Sequence, residues 1–403
     1  MQKAGTLPPQ PWMKDPKIIE VFQALMGEGK LSRFVGGCVR DTLIHKPIYD
    51  IDIATAETPE NAIRLLTQAR IKVKPLGIEH GSILVIHGGY VLNITTLRKD
   101  IHTDGRHASV SYVDDWESDA HRRDFTINAL YADIDGNYYD PCGGKYDLEQ
   151  GLVRFIGDAT TRIKEDYLRI LRFFRFQAWY AKQPSIETEI EACAVYANQL
   201  SLLSKERIWQ EISKTLQAPN PYTTVKKMCE YGILAPILPA SPNLRSLEEL
   251  IQHEHLYTIQ PTPIRRLVCL YKNTPHNLHE LSQRLNLSTE DIKRVKQLMH
   301  VQKTNPDLHN NYENYKILHE KGRDFYLDYI LLNPEFLENG LELYKQWQQP
   351  KLPLSGKDLV ALGIPEGPQM GLILQELTQW WLKNACNPTR HEALDWLKAR
   401  NKL

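Results

Sequence analysis

The sequence predicts an α/β head, a small mixed sheet with helices, followed by an all-α body and tail. Three observations carry the prediction. Short runs rich in Val, Ile, Tyr and Thr, bounded by Gly, Asp or Pro, recur between Arg33 and Asp140. From about Thr160 the apolar residues recur instead at helical spacing. A composition of 42% apolar and 24% charged residues over 403 positions supplies a sizeable core and excludes collagen-like, low-complexity and disordered chains.

In chain order, RFVGG reads as a strand running into a turn and DIDIAT as a second strand. SILVI and YVLNITTL follow as a third and fourth joined by HGG, and ASVSYV as a fifth. After the second strand Thr58 caps a helix with Pro59 at its first position, and Ala62, Ile63, Leu66 and Ala69 give it an apolar face. Farther on, Ile163, Tyr167, Ile170 and Phe174 form one apolar stripe. ERIWQEISKTL, PIRRLVCLY, EDIKRVKQLM, DLVALG and ILQELTQWWL repeat the helical period. APNPY, LPASPN and QPTP read as joints. The expected division is a head over 1–140, a neck over 141–200, a body over 201–330 and a tail over 331–403.

The 49 Lys and Arg balance 49 Asp and Glu, so any nucleic-acid contact must come from local patches rather than bulk charge. Cys38, Cys142, Cys193, Cys229, Cys269 and Cys386 form no C-x-x-C pair or His/Cys cluster, which disfavours a zinc site or disulfide scaffold and fits a reducing compartment. No apolar h-region opens MQKAGTLPPQPWMKD, and no apolar run reaches the ~18 residues of a membrane span. A cytoplasmic, unanchored protein is expected.

Asp50 and Asp52 alternate on a strand, so both carboxylates point to one face and can share divalent cations. Alone, D-x-D reads as a polar strand end. The preceding Gly36-Gly37-Cys38-Val39-Arg40-Asp41 changes the weighing, because two glycines let backbone amides approach a phosphate and Arg40 can add a forked bond. Together they suggest a nucleoside triphosphate site with metals.

FVGGCVRD, DIDIAT, RRDFTINAL, DPCGGKYDLEQG and EDYLRILRFFRF, in that order, resemble the motifs of class II tRNA nucleotidyltransferases of bacterial type. These are the CCA-adding enzymes, within the polymerase-β-like nucleotidyltransferase superfamily that also holds bacterial poly(A) polymerases. The resemblance covers about Phe34 to Leu238, weakens from Pro239 to Pro353, and returns in SGKDLVALGIPEGPQMGLILQELTQWWL, which is similar to the family's tRNA-gripping tail. It implies that Asp50 and Asp52 are catalytic and hold Mg²⁺, and that Gly36, Gly37 and Arg40 contact the incoming nucleotide. It also implies that Arg123, with Asp124 and Asn128, lines the ribose and triphosphate. The implied reaction is template-independent addition of CCA to tRNA from CTP and ATP, with pyrophosphate released and no obligate protein partner.

Asp166 and Arg169 read as i, i+3 neighbours on one helix face. Cytosine and adenine both offer an exocyclic amine beside an unprotonated ring nitrogen. A carboxylate accepts from the first while a guanidinium donates to the second. Uracil and guanine present the opposite polarity, so such a pair selects C and A, as the resemblance implies. Arg172 and Arg175 continue at three-residue steps, and the resemblance implies that they reach nucleotide phosphates and brace the pair.

Asn93 stands where the family usually carries an acidic residue, and an amide is a weaker metal ligand than a carboxylate. Leu76-Gly77-Ile78-Glu79-His80-Gly81-Ser82 looks like the tRNA-enzyme form rather than the poly(A) polymerase form. The D-x-R element within Asp100–His107 favours full CCA addition over CC addition. Addition of A alone is the alternative, with a poly(A) polymerase or a non-catalytic tRNA-binding protein behind it. Lys205, Arg207, Arg265, Arg266, Lys293, Arg294, Lys296 and Lys383 are candidate cations for the tRNA backbone.

Overall fold

The alternating segments of the head assemble into one mixed sheet. The computed structural model describes residues 1–75, 77–78, 81–103, 108–239, 242–271, 277–304, 308 and 311–400. Its strands are β1 (Lys3–Thr6), β2 (Ser32–Val35), β3 (Ile51–Thr55), β4 (Lys72–Lys74), β5 (Ser82–His87), β6 (Tyr90–Thr96), β7 (Arg98–Thr103), β8 (Ala108–Tyr112), β9 (Tyr131–Ala132) and β10 (Asn137–Tyr139). Eight of them form a sheet in the order β1-β10-β9-β2-β3-β6-β5-β4, and β7 pairs with β8 in a separate hairpin. Only β3 and β6 run parallel in the sheet, in a register that sets Asp52 opposite Asn93. The five strands expected from sequence are present as β2, β3, β5, β6 and β8. Strands β1, β4, β9 and β10 are additions, each of four residues or fewer and so too short for a legible alternation, and the six-residue β7 is a fifth.

The described residues fall into two compact units, a coarser division than the four segments read from sequence. The first comprises Met1–Ser241 with Gln283–Asn286, and the second Pro242–Ser282 with Leu287–Leu403. Helices of the first unit are α1 (Pro16–Leu25), α2 (Gly37–Leu43), α3 (Pro59–Gln68), α4 (Trp116–His121), α5 (Gly144–Gln150), α6 (Ala159–Glu165), α7 (Leu168–Tyr180), α8 (Glu187–Val195), α9 (Lys205–Leu216) and α10 (Tyr222–Glu230). The cap foreseen at Thr58 is made, its Oγ1 accepting from the Asn61 amide at 3.3 Å.

Two packing features fix RRDFTINAL. Phe125 sits fully buried among Phe155, Phe173 and Phe176, with ring centroids 4.9, 6.2 and 5.2 Å away. Truncating such a ring costs about 3–5 kcal/mol, so this knot fastens the segment to α7. Gly144 lies so close behind that a Cβ there would stand 2.1 Å from the Thr126 carbonyl oxygen, which explains the second glycine of DPCGGKYD. Asp140 then accepts from the amides of Gly144 and Lys145 at 2.7 and 2.9 Å, opening α5.

One expectation fails in this unit. The stripe from Ile163 to Phe174 is not on one helix, because Asp166 is extended (φ −155°, ψ 109°) between α6 and α7. Its carboxylate accepts from the Leu168 amide at 3.1 Å, the capping role for which Asp is favoured. Asp166 and Arg169 therefore do not share a helix face.

The second unit holds α11 (Leu244–Leu256), α12 (Pro263–Leu270), α14 (Thr289–Thr304), α15 (Asn311–Lys321), α16 (Arg323–Leu332), α17 (Leu337–Gln346), α18 (Gly356–Ala361), α19 (Pro368–Lys383) and α20 (Arg390–Ala399). Between α12 and α14, α13 (Asn277–Arg284) passes from the second unit into the first. Arg265 and Arg266, expected as surface cations, are 2% and 1% exposed. Arg265 donates to Glu254 and, at 2.9 Å, to Asp328, and Arg266 donates to Glu254 at 2.8 Å. They are core ion pairs and offer nothing to a polynucleotide. The tail helices enclose a small core of their own around Leu359, Leu377 and Leu397, with reciprocal caps at Ser355 and Thr389. Among the described residues no helix is long and apolar enough to cross a membrane.

Candidate nucleotide and metal site

Strand β2 ends at Val35, and Gly36, with φ +71°, turns the chain into α2. A left-handed backbone favours glycine here. The next strand of the sheet, β3, carries Asp52, and Asp50 immediately precedes it. Asp50 is exposed and makes no hydrogen bond or ion pair among the described residues. Asp52 accepts one bond, from Asn93 Nδ2 to its Oδ1 at 3.0 Å, which follows from their facing register in β3 and β6. Burial raises the Asp52 carboxyl above its ordinary range; Asn93, Arg123 and Arg40 oppose the rise and Asp50 adds to it.

Among the described residues, three carboxylate oxygens at one strand end thus lack a protein donor. Hard oxygen ligands of this kind suit a divalent cation, whose charge would relieve the burial of Asp52. The donor set fits the metal with two acids rather than three. No group of three or more metal-binding side chains occurs among the described residues, and Asn93 presents its amide nitrogen, not a carboxylate, to Asp52.

Behind this open end the other expected residues are joined to one another. Arg40 sets Nε and Nη2 on the two oxygens of Asp41, both at 2.9 Å, and Nη1 on Asn128 Oδ1 at 2.6 Å. Asn128 Nδ2 donates to Asp124 Oδ1 at 2.9 Å, and Arg172 Nε donates to Asp124 Oδ2 at 2.6 Å. Burial alone would raise Asp124, but Arg172 and Asn128 outweigh it and hold the carboxyl far below its ordinary range. Arg175 continues the chain to Glu211 at 2.6 Å. Arg40, Asp124, Asn128, Arg172 and Arg175 are therefore one lattice, buried at Arg40, Asp124 and Asn128 and half-buried at the two α7 arginines, linking α2, the turn at Thr126–Asn128, α7 and α9. Arg172 and Arg175 direct their guanidinium groups at the carboxylates of Asp124 and Glu211, not at the Asp166–Arg169 pair.

Arg123 belongs to a second cluster. It donates to Asp119 at 2.9 Å and to the Tyr131 hydroxyl at 2.9 Å, while Arg122 holds the other Asp119 oxygen at 2.8 Å. Asp166 and Arg169 are anchored separately. Arg207 donates to Asp166 Oδ2 at 2.7 Å, and Arg169 bonds Glu165 and the carbonyls of Arg162 (2.7 Å) and Arg122 (3.2 Å).

Sequence reasoning missed Asp41, Glu165, Asp119, Glu211, Arg207 and Tyr180 as members of these networks. Four-residue spacing could have flagged two, Asp119 with Arg123 and Glu165 with Arg169, although neither pair lies within one helix. Leu76, Glu79 and His80 of the strand-flanking segment lie outside the described residues, as do Asp104, Gly105, Arg106 and His107 of the D-x-R element.

Residues 32–154 match the Poly A polymerase head domain, and residues 185–244 match the probable RNA and SrmB-binding site of polymerase A. Over 398 residues the chain is 35% identical to CCA tRNA nucleotidyltransferase 1, mitochondrial, of Danio rerio, covering 94% of this chain and 89% of that protein. The chain belongs to the CCA tRNA nucleotidyltransferase family. The CCA-adding enzyme of Oceanobacillus iheyensis is 41% identical over 219 residues, 54% of this chain and 52% of that protein. Among solved structures, the Bacillus stearothermophilus CCA-adding enzyme in complex with CTP superposes with a TM-score of 0.73 at 25% identity, over 98% of both chains. For this CCA tRNA nucleotidyltransferase family member the mixed-sheet head followed by helices is thus the fold of its relatives.

Proposed function

We propose that this chain adds CCA to the 3′ end of tRNA from CTP and ATP without a nucleic-acid template, releasing pyrophosphate. The observation that carries the reading is the open strand end at Asp50 and Asp52 beside the Gly36–Gly37 turn, three carboxylate oxygens without protein donors among the described residues. The full-length identity to a relative named for this activity supports it.

Divalent-metal use goes with the family, and we assign Mg²⁺ to Asp50 and Asp52. When bound, it would lower the pKa of the primer hydroxyl and offset charge on the departing pyrophosphate. The chain's own residues do the rest. Gly36 and Gly37 admit the triphosphate to the backbone, while Arg40, Asp124 and Asn128 keep the turn in place from behind. Arg123, fixed on Asp119, presents positive charge toward ribose and phosphate. Asp166 and Arg169 read the pairing edges of C and A, each held in orientation by its own anchor, Arg207 and Glu165, and Arg172 and Arg175 brace the helix that carries Arg169. Exposed Lys205, Lys293, Lys296 and Lys383 are the cations proposed for tRNA phosphates, so binding weakens steeply as salt rises.

Labelled CTP or ATP, Mg²⁺ and tRNA trimmed by three nucleotides test the assignment. Label from both nucleotides is expected on the trimmed tRNA. Transfer from ATP alone, and only to tRNA ending in CC, would replace it with A addition. No transfer to any tRNA would leave a binding protein. The six free thiols fit the cytosolic placement; fractionation decides between that and the mitochondrial compartment named for the Danio rerio relative.

A further inference from the structure

Tyr180 closes α7 and belongs to none of the motifs above, yet its phenol is built into the nucleotide turn. Its hydroxyl accepts from Arg40 Nη2 at 2.6 Å and donates to Asp41 Oδ1 at 2.9 Å. Its ring lies against the same guanidinium, 4.3 Å from Cζ to the ring centroid. Lys46 approaches the ring at 4.3 Å and donates to the Trp179 carbonyl at 3.0 Å, adding a second tie between the end of α2 and the end of α7.

A guanidinium has five N–H groups. In Arg40 one is on Asn128, two are on Asp41 and one is on Tyr180, so its position is determined from three directions. It is only 7% exposed, where a lost partner is not replaced by water without cost. Burial pushes the Tyr180 phenol up to about 12; Arg40 opposes the rise and Asp41 adds to it, so the hydroxyl keeps its proton and its donor role at neutral pH.

We propose that Tyr180 is a positioning residue for nucleotide binding, its hydroxyl locking the Arg40–Asp41 pair beneath the Gly36–Gly37 turn to the end of α7. The inference rests on the reading that this turn holds the triphosphate. Without the hydroxyl, Arg40 loses its direct hydrogen bond to α7, keeping only ring contacts with Phe176 and residue 180, and Asp41 Oδ1 loses one of its donors. The turn then samples orientations that the triphosphate must select against, which weakens binding without unfolding the head.

The test uses the full chain with Tyr180→Phe, which keeps the ring, and Tyr180→Leu, which removes it. CTP binding is measured by calorimetry with Mg²⁺ present, alongside thermal unfolding. Backbone amide exchange at Arg40, whose N–H bonds the Gly36 carbonyl at 2.9 Å, is followed without nucleotide. Tyr180→Phe is expected to raise the Kd for CTP by about five- to tenfold, less than the full effect of one charge-assisted hydrogen bond, and to speed exchange at Arg40 with a Tm only a few degrees lower. Tyr180→Leu should weaken CTP further. Wild-type affinity and wild-type exchange in Tyr180→Phe would overturn the proposal. So would a lowered Tm with an unchanged Kd, which marks a purely structural residue. If the wild-type protein binds no CTP, the nucleotide reading itself fails, and faster exchange in Tyr180→Phe would still establish the lock.

Discussion

Asp52 in the first unit and Asp328 in the second are carboxylates in folded surroundings with opposite states of completion. Asp328 Oδ1 accepts from Arg265 at 2.9 Å and Oδ2 from Arg294 at 2.7 Å, and Glu254 nearby is bonded by both Arg265 and Arg266. Asp52 has one oxygen on a neutral amide and the other without a donor among the described residues. Desolvating a charge costs several kcal/mol unless partners compensate. The second unit compensates fully and gains a fixed helix arrangement. At Asp52 the first unit leaves the deficit standing, and the proposed metal would make it good.

Four experiments would break or sharpen this contrast. The largest effect is expected at the incomplete site. Asp52→Ala should cut single-turnover transfer by at least about 10²–10³-fold while leaving Tm unchanged or raised, because an uncompensated charge has been removed. Near wild-type turnover would end the metal assignment. Asp328→Ala should do the reverse, lowering stability in urea by about 3 kcal/mol as buried Arg265 is left with Glu254 as its one carboxylate and Arg294 loses its own, with activity per folded molecule retained.

Next is Glu189, whose carboxylate accepts from the Phe155 amide at 3.1 Å and is 8% exposed. Burial pushes it up to about 7 against an ordinary 4.5, with the Phe155 bond and Arg154 opposing. The folded state therefore keeps a proton that the unfolded chain releases. Stability from this group is fully present below pH 4.5 and is lost as pH rises to about 7, on the order of 3 kcal/mol in total. Glu189→Gln should flatten the dependence of unfolding free energy over that window. A slope as steep as the wild type's would show that another group titrates there. The smallest effect is expected from Asn93→Glu. If Asn93 only orients Asp52, single-turnover rates at saturating CTP should stay within about threefold, whereas a rise on the order of 10²-fold would identify a missing general base.

Much of the head was legible because β2, β3, β5, β6 and α3 are specified locally, by alternation, β-branching and a Thr-Pro cap. What escaped was specified at a distance. The apolar stripe runs unbroken through Asp166, so only the capped geometry between α6 and α7 reveals the interruption. PIRRLVCLY carries two arginines that read as surface charge. Their partners Glu254 and Asp328 lie 11 and 63 residues from Arg265, and no pattern within the segment announces them. For the proposed site, Asp50, Asp52 and the paired glycines were singled out by their spacing. The supports were not: Asp41 was visible only as Arg40's neighbour, and Tyr180 had no signal at all.

The outermost strand of the sheet, β1, begins at Lys3 and pairs with β10, with Lys3 opposite Tyr139. Strand β1 therefore has no partner in this sheet until β10, more than a hundred residues later, has been synthesised. At about 5–20 residues per second, that wait is on the order of ten seconds. During it the nascent chain must keep KAGT from pairing elsewhere. Its small, largely polar side chains suit that interval, since they give a foreign strand little apolar surface to hold.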